Sequence, residues 1–289
     1  KIPIPSDSFQ KFIEKLVLKS YEERQKAEQL YKQAEEILLK ELELKNWKPK
    51  TKKIKIGGIE FEEEENISIR MLSDVRKADR MDAEYWEPKY DEIEELIKNC
   101  KNGYDYLNNL TSPRTGYAFN SKDYVDEGIP LLRITNITSK GIDMSLNPVF
   151  LPNYYLDKYK IFTVKKDDLV ISLTGGRIGE GVIGKAFVYL DEKPALLNQR
   201  ILRLRLKSDK IKNINIIALI INHLNQLIVR DSVGGVQANI SHKQILRLPI
   251  PMINLQTQQK ISQLIQQSFK ERENSKKLLE IAKRTVEIY

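Results

Sequence analysis

The chain has 289 residues, 30% of them charged and 41% hydrophobic, enough for about two domains at roughly 150 residues each. Its 48 Lys and Arg against 40 Asp and Glu leave a net charge of +8, which favours a polyanionic partner. One cysteine, Cys100, permits no intrachain disulfide and suits a reducing cytoplasm, while two histidines, His223 and His242, exclude an H-E-x-x-H metal site and leave a Cys/His zinc cage short of ligands.

The chain opens on Lys1 with neither methionine nor an apolar signal core, so it shows no secretory address and reads as a fragment or trimmed form. Pro3-Ile4-Pro5 fixes an extended lead-in, and Ser6, Asp7 or Ser8 then offers a capping oxygen. From Phe9 to about Leu44 the apolar residues Phe9, Ile13, Leu16, Val17, Leu30, Tyr31, Ile37 and Leu38 follow a heptad-like spacing. A helix of that length is on the order of 50 Å long.

Residues 45–65 read as a linker or exposed strand pair. Six lysines between Lys45 and Lys55 are followed at once by Glu60 to Glu65, so the two blocks neutralise each other. Residues 66–247 read as one globular α+β domain. Asp79 to Lys98 predicts a turn and then a helix from about Pro88, with proline at a first helical position. Strand-like runs then follow at 131–137, 147–152, 159–164, 168–174, 182–190 and 199–206. An Ile- and Leu-rich helix is predicted over about 211–230, ahead of the turn Gly234-Gly235. Its apolar core, Ile214 to Ile221, falls far short of the roughly 20 residues that span a bilayer, so no membrane helix is expected.

Residues 248–289 repeat the beginning. Pro249-Ile250-Pro251 introduces a second long helix with Asn254 as a capping candidate, and a shift of 248 residues aligns Ile13 with Ile261, Leu16 with Leu264, Arg24 with Arg272 and Leu30 with Leu278. One heptad position is small in both copies: Ser20, Ala27 and Ala34, then Ser268, Ser275 and Ala282. Small residues at that period let two backbones approach closely, and a long polar-backed helix needs an apolar partner for most of its stability. The two ends, residues 1–44 and 248–289, are therefore expected to pack as an antiparallel coiled-coil-like pair.

Charge is unevenly spread. Residues 108–247 carry 20 basic and 12 acidic side chains, a surplus equal to that of the whole chain. The same segment holds donor-rich loops: Arg114, Thr115 and Tyr117 around Gly116; Arg133 with Asn136; Thr174 and Arg177 around Gly175-Gly176; Gln199-Arg200; and Gln237, Asn239 and Ser241. Arginine can read guanine bidentately and Asn or Gln can read adenine, while cations and backbone N–H groups on phosphates position the reader. For each residue alone a turn-stabilising hydrogen bond is the commoner role.

Two motifs are decoys. Gly179 to Gly184 matches G-x-G-x-x-G, but a strand rather than a helix follows, so Leu169 to Leu190 reads as a hairpin. Asn147-Pro148-Val149-Phe150 is close to the N-P-P-F loop of amino-methyltransferases yet lacks the second proline. No nucleophile turn accompanies Ser241-His242, whose histidine is expected to face solvent. Catalysis by this chain is not expected, nor is a bound metal or cofactor.

The order of these features resembles the specificity subunit of type I restriction-modification enzymes. The resemblance is carried by the Pro-Ile-Pro lead-ins, the linker Asn46-Trp47-Lys48-Pro49-Lys50, the run Arg80 to Trp86, Gly128 to Arg133 with Asn136, Asp168 to Ser172 before the glycine loop, and Gly235 to Ser241. It implies a non-catalytic, cytoplasmic subunit whose target-recognition domain reads half of a split double-stranded DNA site. Helical regions would hold recognition domains apart and dock modification subunits, which bind S-adenosylmethionine and methylate adenine; a translocating restriction subunit can join. The family's usual order is recognition domain, helix, recognition domain, helix. This sequence has helix, recognition domain, helix, so either a first recognition domain is missing or a half-subunit restores symmetry as a homodimer. Two other readings stay open at this point: a coiled-coil adaptor whose charge serves solubility, and a fragment of an S-adenosylmethionine-dependent DNA methyltransferase.

Overall fold

The computed structural model describes residues 5–45, 47–48, 52–56, 58–63, 68–175, 181–232 and 239–288. The chain divides into two compact units, residues 1–45 with 254–289, and residues 46–253. The second therefore takes in the segment 45–65 read as a linker, except Lys45, and also Pro249-Ile250-Pro251.

The first unit is an antiparallel helical hairpin of α1 (Asp7–Glu41) and the long C-terminal helix Leu255–Ile288. Both starts are capped: the Ser6 hydroxyl accepts from the Phe9 N–H at 3.4 Å and Asn254 Oδ1 from the Thr257 N–H at 2.8 Å. The small residues Ser20, Ala27, Ala34, Ser268, Ser275 and Ala282 are all buried between the helices. Ser20 Oγ donates to the Ser275 carbonyl at 3.0 Å, and Ser268 Oγ donates to the Ala27 carbonyl at 2.7 Å. A hydroxyl on a single carbon can reach the backbone of a facing helix only when the two rods lie close, which is what the small stripe permits. Lys26 pairs with Glu271 at 2.6 Å and Asn254 bonds Glu41 at 2.8 Å, in the same antiparallel register. Val17, counted in the apolar stripe from its spacing, lies outside it and is exposed.

In the second unit, β1 (Lys52–Ile56) and β2 (Ile59–Glu63) form an antiparallel ribbon whose register sets Lys52, Lys53 and Lys55 opposite Glu63, Glu62 and Glu60. The chain continues through α2 (Leu72–Ala78) and α3 (Pro88–Lys98), with Pro88 at the first turn as expected. Then come β3 (Tyr104–Tyr106), α4 (Leu107–Leu110), β4 (Thr111–Thr115), β5 (Ile129–Leu132), the short pair β6 (Ile137–Thr138) and β7 (Gly141–Ile142), β8 (Phe150–Leu151), α5 (Tyr155–Lys158) and β9 (Thr163–Val164). The rest of the unit is β10 (Leu169–Ser172), β11 (Ala186–Val188), β12 (Ala195–Leu197), β13 (Ile201–Leu206), α6 (Ile214–His223), α7 (Asn225–Arg230), α8 (His242–Ile245) and β14 (Pro249–Pro251); the C-terminal helix of the hairpin is α9.

Two four-stranded sheets make the core, one in the order β11-β10-β13-β4 and one in the order β8-β5-β12-β9. All their pairings are antiparallel except β5 with β12. Every residue of β10 and β12 is buried, which is why both read as continuous apolar runs rather than alternating ones. Leu132, Val164, Val170, Ala195, Leu197 and Ile201 join the sheets in one apolar cluster. Arg203 of β13 crosses to β9 of the other sheet, donating to the Thr163 carbonyl, and burial pushes its guanidinium down to about 10. Asp168, buried ahead of β10, takes both arms of Arg205 at 2.5 and 2.8 Å. The expected hairpin across the glycine loop is present, with Leu169 opposite Val188.

The α6 helix is buried from Ile214 to Ile221 and lies against β11. Asn222 caps that edge strand, accepting from the Ala186 N–H at 2.9 Å and donating to its carbonyl at 2.8 Å, so the edge has no open ladder group at its centre. The predicted helix over 211–230 is two helices, broken at Leu224. Burial, with Lys185 nearby, pushes the His223 imidazole below its usual value of about 6.5. The unfolded chain then binds the proton more readily, so stability is full above that value and falls as pH drops below it. The melting temperature is expected to decline from pH 7.5 to pH 5.5, and to decline less in His223→Gln. Equal slopes in the two proteins would remove this residue from the account.

Candidate nucleic-acid interface

The donor-rich loops of the second unit meet at one end of the two sheets. The chain leaves one sheet at Leu197, the end of β12, and enters the other at Ile201, the start of β13. Residues 198–200 therefore turn at the seam between the sheets. The turn is closed by the Ile201 N–H on the Asn198 carbonyl at 3.1 Å, and by the Arg200 N–H on Asn198 Oδ1 at 3.4 Å. Asn198 donates its own N–H to the Leu132 carbonyl at 3.0 Å, which brings Arg133 alongside. Tyr117 bridges Asn198, with its N–H on the Leu197 carbonyl at 2.8 Å. Leu173 N–H reaches the Arg200 carbonyl at 2.9 Å, and Thr174 bridges Asn239. Four separate loops, around 114–117, 132–133, 173–175 and 239–241, are thus tied to one three-residue turn.

Within this seam the candidates fall into three groups. Arg114, Tyr117, Gln199, Arg200 and Asn239 are exposed; Thr115 and Arg133 are half-buried. Among the described residues, Arg114, Arg133 and Arg200 pair with no carboxylate, whereas Arg80, Arg205, Arg230 and Lys210 each do. The unneutralised cations of the segment therefore include those at the seam, where a phosphate-facing surface needs them. Arg133 Nη2 donates to the Asn147 carbonyl at 2.6 Å, bracing the loop that was compared above with a methyltransferase motif. That loop leads into β8 by the Val149 carbonyl, which accepts from Leu131.

Three candidates are corrected. Asn136 is buried at 1% exposure, and its amide is spent on the chain: Oδ1 accepts from the Arg133 N–H at 2.9 Å and Nδ2 donates to the Leu146 carbonyl at 2.7 Å. Thr174 is buried at 4% exposure and cannot meet a base edge. Ser241 caps α8, its hydroxyl accepting from the Gln244 N–H at 3.3 Å and donating to Gln244 Oε1 at 2.8 Å. The neighbouring His242 is half-buried rather than solvent-facing. Arg177 and Gln237 lie outside the described residues.

One feature at the seam was not anticipated. Tyr117 stands 40% exposed on an aromatic cluster, with ring centroids 5.0 Å from Tyr159, 5.1 Å from Phe119 and 5.3 Å from Phe162. Lys158 Nζ lies 5.3 Å from the Tyr159 ring. The spacing of Tyr154, Tyr155, Tyr159 and Phe162 in the sequence carried that signal, since three of the four fall on the turns of one short helical stretch.

The family described as type I restriction modification DNA specificity domain matches residues 107–283. The chain belongs to that family. The specificity domain thus spans β4 to β14, the strands that build the seam, and most of α9. Over 162 residues the chain is 28% identical to the type I restriction enzyme MjaVIII specificity subunit of Methanocaldococcus jannaschii, covering 54% of this chain and 37% of that one. Over 129 residues it is 30% identical to the EcoAI specificity subunit of Escherichia coli, covering 44% of this chain and 20% of that one. The crystal structure of a type I restriction-modification S subunit from M. genitalium shares the fold, with a TM-score of 0.52 at 12% identity over 96% of this chain and 58% of the other. The specificity domain described here therefore spans well under two thirds of the length of the curated subunits it matches. Among its described residues no helix is long and apolar enough to cross a membrane, and no three His, Cys, Asp or Glu side chains are grouped to hold a metal ion.

Proposed function

We propose that this chain is a sequence-specific double-stranded DNA reader of a type I restriction-modification complex, with the seam between its two sheets as the surface that meets the duplex. The observation that carries this reading is the convergence of separate donor-rich loops on one turn, within the stretch matched by the specificity-domain family. Exposed Arg, Gln and Asn side chains there have the chemistry for base edges and phosphates. The chain reads one part of a bipartite site. Methylation of adenine belongs to a modification subunit, which would hold the S-adenosylmethionine, and a restriction subunit completes the cytoplasmic assembly.

The helical hairpin docks the modification subunits in this reading. Phe12, Leu18, Tyr21, Leu279 and Ile281 support it, since all are exposed rather than spent between α1 and α9. The same hairpin is the surface through which two chains would pair if the chain works as a half-subunit.

Selection from a randomised duplex pool by the purified 289-residue chain tests the reading. One conserved half-site is expected, with affinity falling steeply as salt rises because bound cations release phosphate counterions. Arg114→Ala should weaken all sequences alike and reduce the salt slope by about 1, as loss of one phosphate contact does. A pool left without any enriched sequence would overturn the reading in favour of an adaptor.

A further inference from the structure

We propose that Arg200 reads a guanine of the recognised half-site through the Nε/Nη2 edge of its guanidinium, and that Asn239 is the positioning residue that aims it. The inference rests on the DNA-reading role proposed above and goes further in naming the residue, the base and the device that orients the contact.

The mounting of Arg200 is rigid. Its N–H is held by Asn198 Oδ1 and its carbonyl by the Leu173 N–H, and the following residue closes the turn. A reader fixed at its backbone has little freedom left to lose on binding, apart from its own side-chain rotamers. The side chain is exposed, and Nη1 donates to Asn239 Oδ1 at 3.2 Å. A guanidinium is a planar fork of five N–H donors. With one of them taken at Nη1 the plane is set, and the parallel N–H pair on Nε and Nη2 has no partner among the described residues. That pair matches two adjacent acceptors. In the major groove guanine offers such acceptors, O6 and N7, whereas adenine sets a donor beside N7.

The other arginines are used differently. Arg205 is clamped by Asp168 at 2.5 Å, and Arg230 pairs with Glu94 at 3.0 Å and Asp231 at 2.9 Å; carboxylates neutralise them as they hold them. An amide orients a guanidinium without cancelling its charge. Arg133 has already given Nη2 to the Asn147 carbonyl, which removes the bidentate edge. Arg114 is exposed on β4 with no group recorded as fixing its plane among the described residues, which suits a phosphate contact.

The test selects half-sites from a randomised duplex pool with four full-length proteins: the parent chain, Arg200→Lys, Arg200→Ala and Asn239→Ala. Arg200→Lys keeps the charge and removes the fork. It should lower preference for guanine at one position by about 5- to 100-fold, the range of a good bidentate contact, and leave the other positions and the salt slope unchanged. Arg200→Ala should do the same with a salt slope reduced by about 1. Asn239→Ala should blur the same position by a smaller factor. Melting temperatures should stay at the parent value in the Arg200 variants, because the turn is held by backbone groups and Asn198. Unchanged position preferences in both Arg200 variants, or a loss spread evenly over all sequences, overturns the proposal while leaving the DNA-reading role intact. A parent chain that enriches no sequence overturns both.

Discussion

Replacing Gly116 by alanine is expected to cost this fold about 3 kcal/mol, at the upper end of what overpacking a core inflicts. The added methyl would stand 2.1 Å from the Asn198 carbonyl oxygen and 2.4 Å from both the Asn198 carbonyl carbon and the Leu197 oxygen. All three are backbone atoms of the strand end and turn at the seam, so no side chain can swing aside. Relief requires β4 and β12 to part, which strains the Gly116 N–H bond to the Ile201 carbonyl at 3.0 Å and the Tyr117 N–H bond to the Leu197 carbonyl at 2.8 Å. For a unit of about 200 residues this corresponds to a melting temperature roughly 10 °C lower. Gly103→Ala supplies the comparison: nothing lies within 4 Å of its added methyl, and only a φ of +72° opposes it. That variant should lose about 1 kcal/mol. Equal losses in the two would mean that the close approach of β4 to β12 is not what holds the seam together.

Ala27→Leu is expected to have the second large effect, on the helical hairpin. Ala27 has no exposed surface, and its carbonyl accepts the Ser268 hydroxyl at 2.7 Å. A leucine there must push α1 from α9 or adopt a strained rotamer, at a cost of about 2 to 3 kcal/mol. Thermal melting followed by far-ultraviolet circular dichroism should show the helices losing structure at lower temperature. Glu28→Leu, one residue on and exposed, changes volume and charge without entering the contact, and should leave the transition within about 0.5 kcal/mol of the parent. A hairpin indifferent to leucine at position 27 would contradict the small-residue packing.

The hairpin was legible because its signal is long. A heptad that stays small at one position through Ser20, Ala27 and Ala34, and again through Ser268, Ser275 and Ala282, has few explanations besides close helix packing, and all six residues are buried. The globular unit was legible only as alternating strands and helices. Its β12 strand is three residues, Ala195–Leu197, too short for any period, and its parallel pairing with β5 joins segments more than sixty residues apart. Nothing local encodes such a pairing. The break at Leu224 was hidden because α6 is apolar on every side, so periodicity could not mark an end.

The candidate interface was half legible for a chemical reason. Asn, Ser and Thr offer the same donors and acceptors to a turn as to a base. Asn136 and Ser241 turned out to serve their own backbone, while Asn239 faces Arg200. Composition could not separate those fates, which depend on burial and on which loops meet. The residue that organises the seam, Asn198, was overlooked because a lone asparagine after an apolar strand has the look of an ordinary turn former.

The most direct measurement is amide hydrogen exchange on the full chain, free and bound to its selected duplex. The account predicts new protection at residues 114–117, 133, 173–175, 198–200 and 239–241 together, since these are joined at one seam. It predicts none at Lys207 to Lys212, which follow the far end of β13. Protection confined to Lys207–Lys212 or to α6, with the seam exchanging as freely as without DNA, would contradict it.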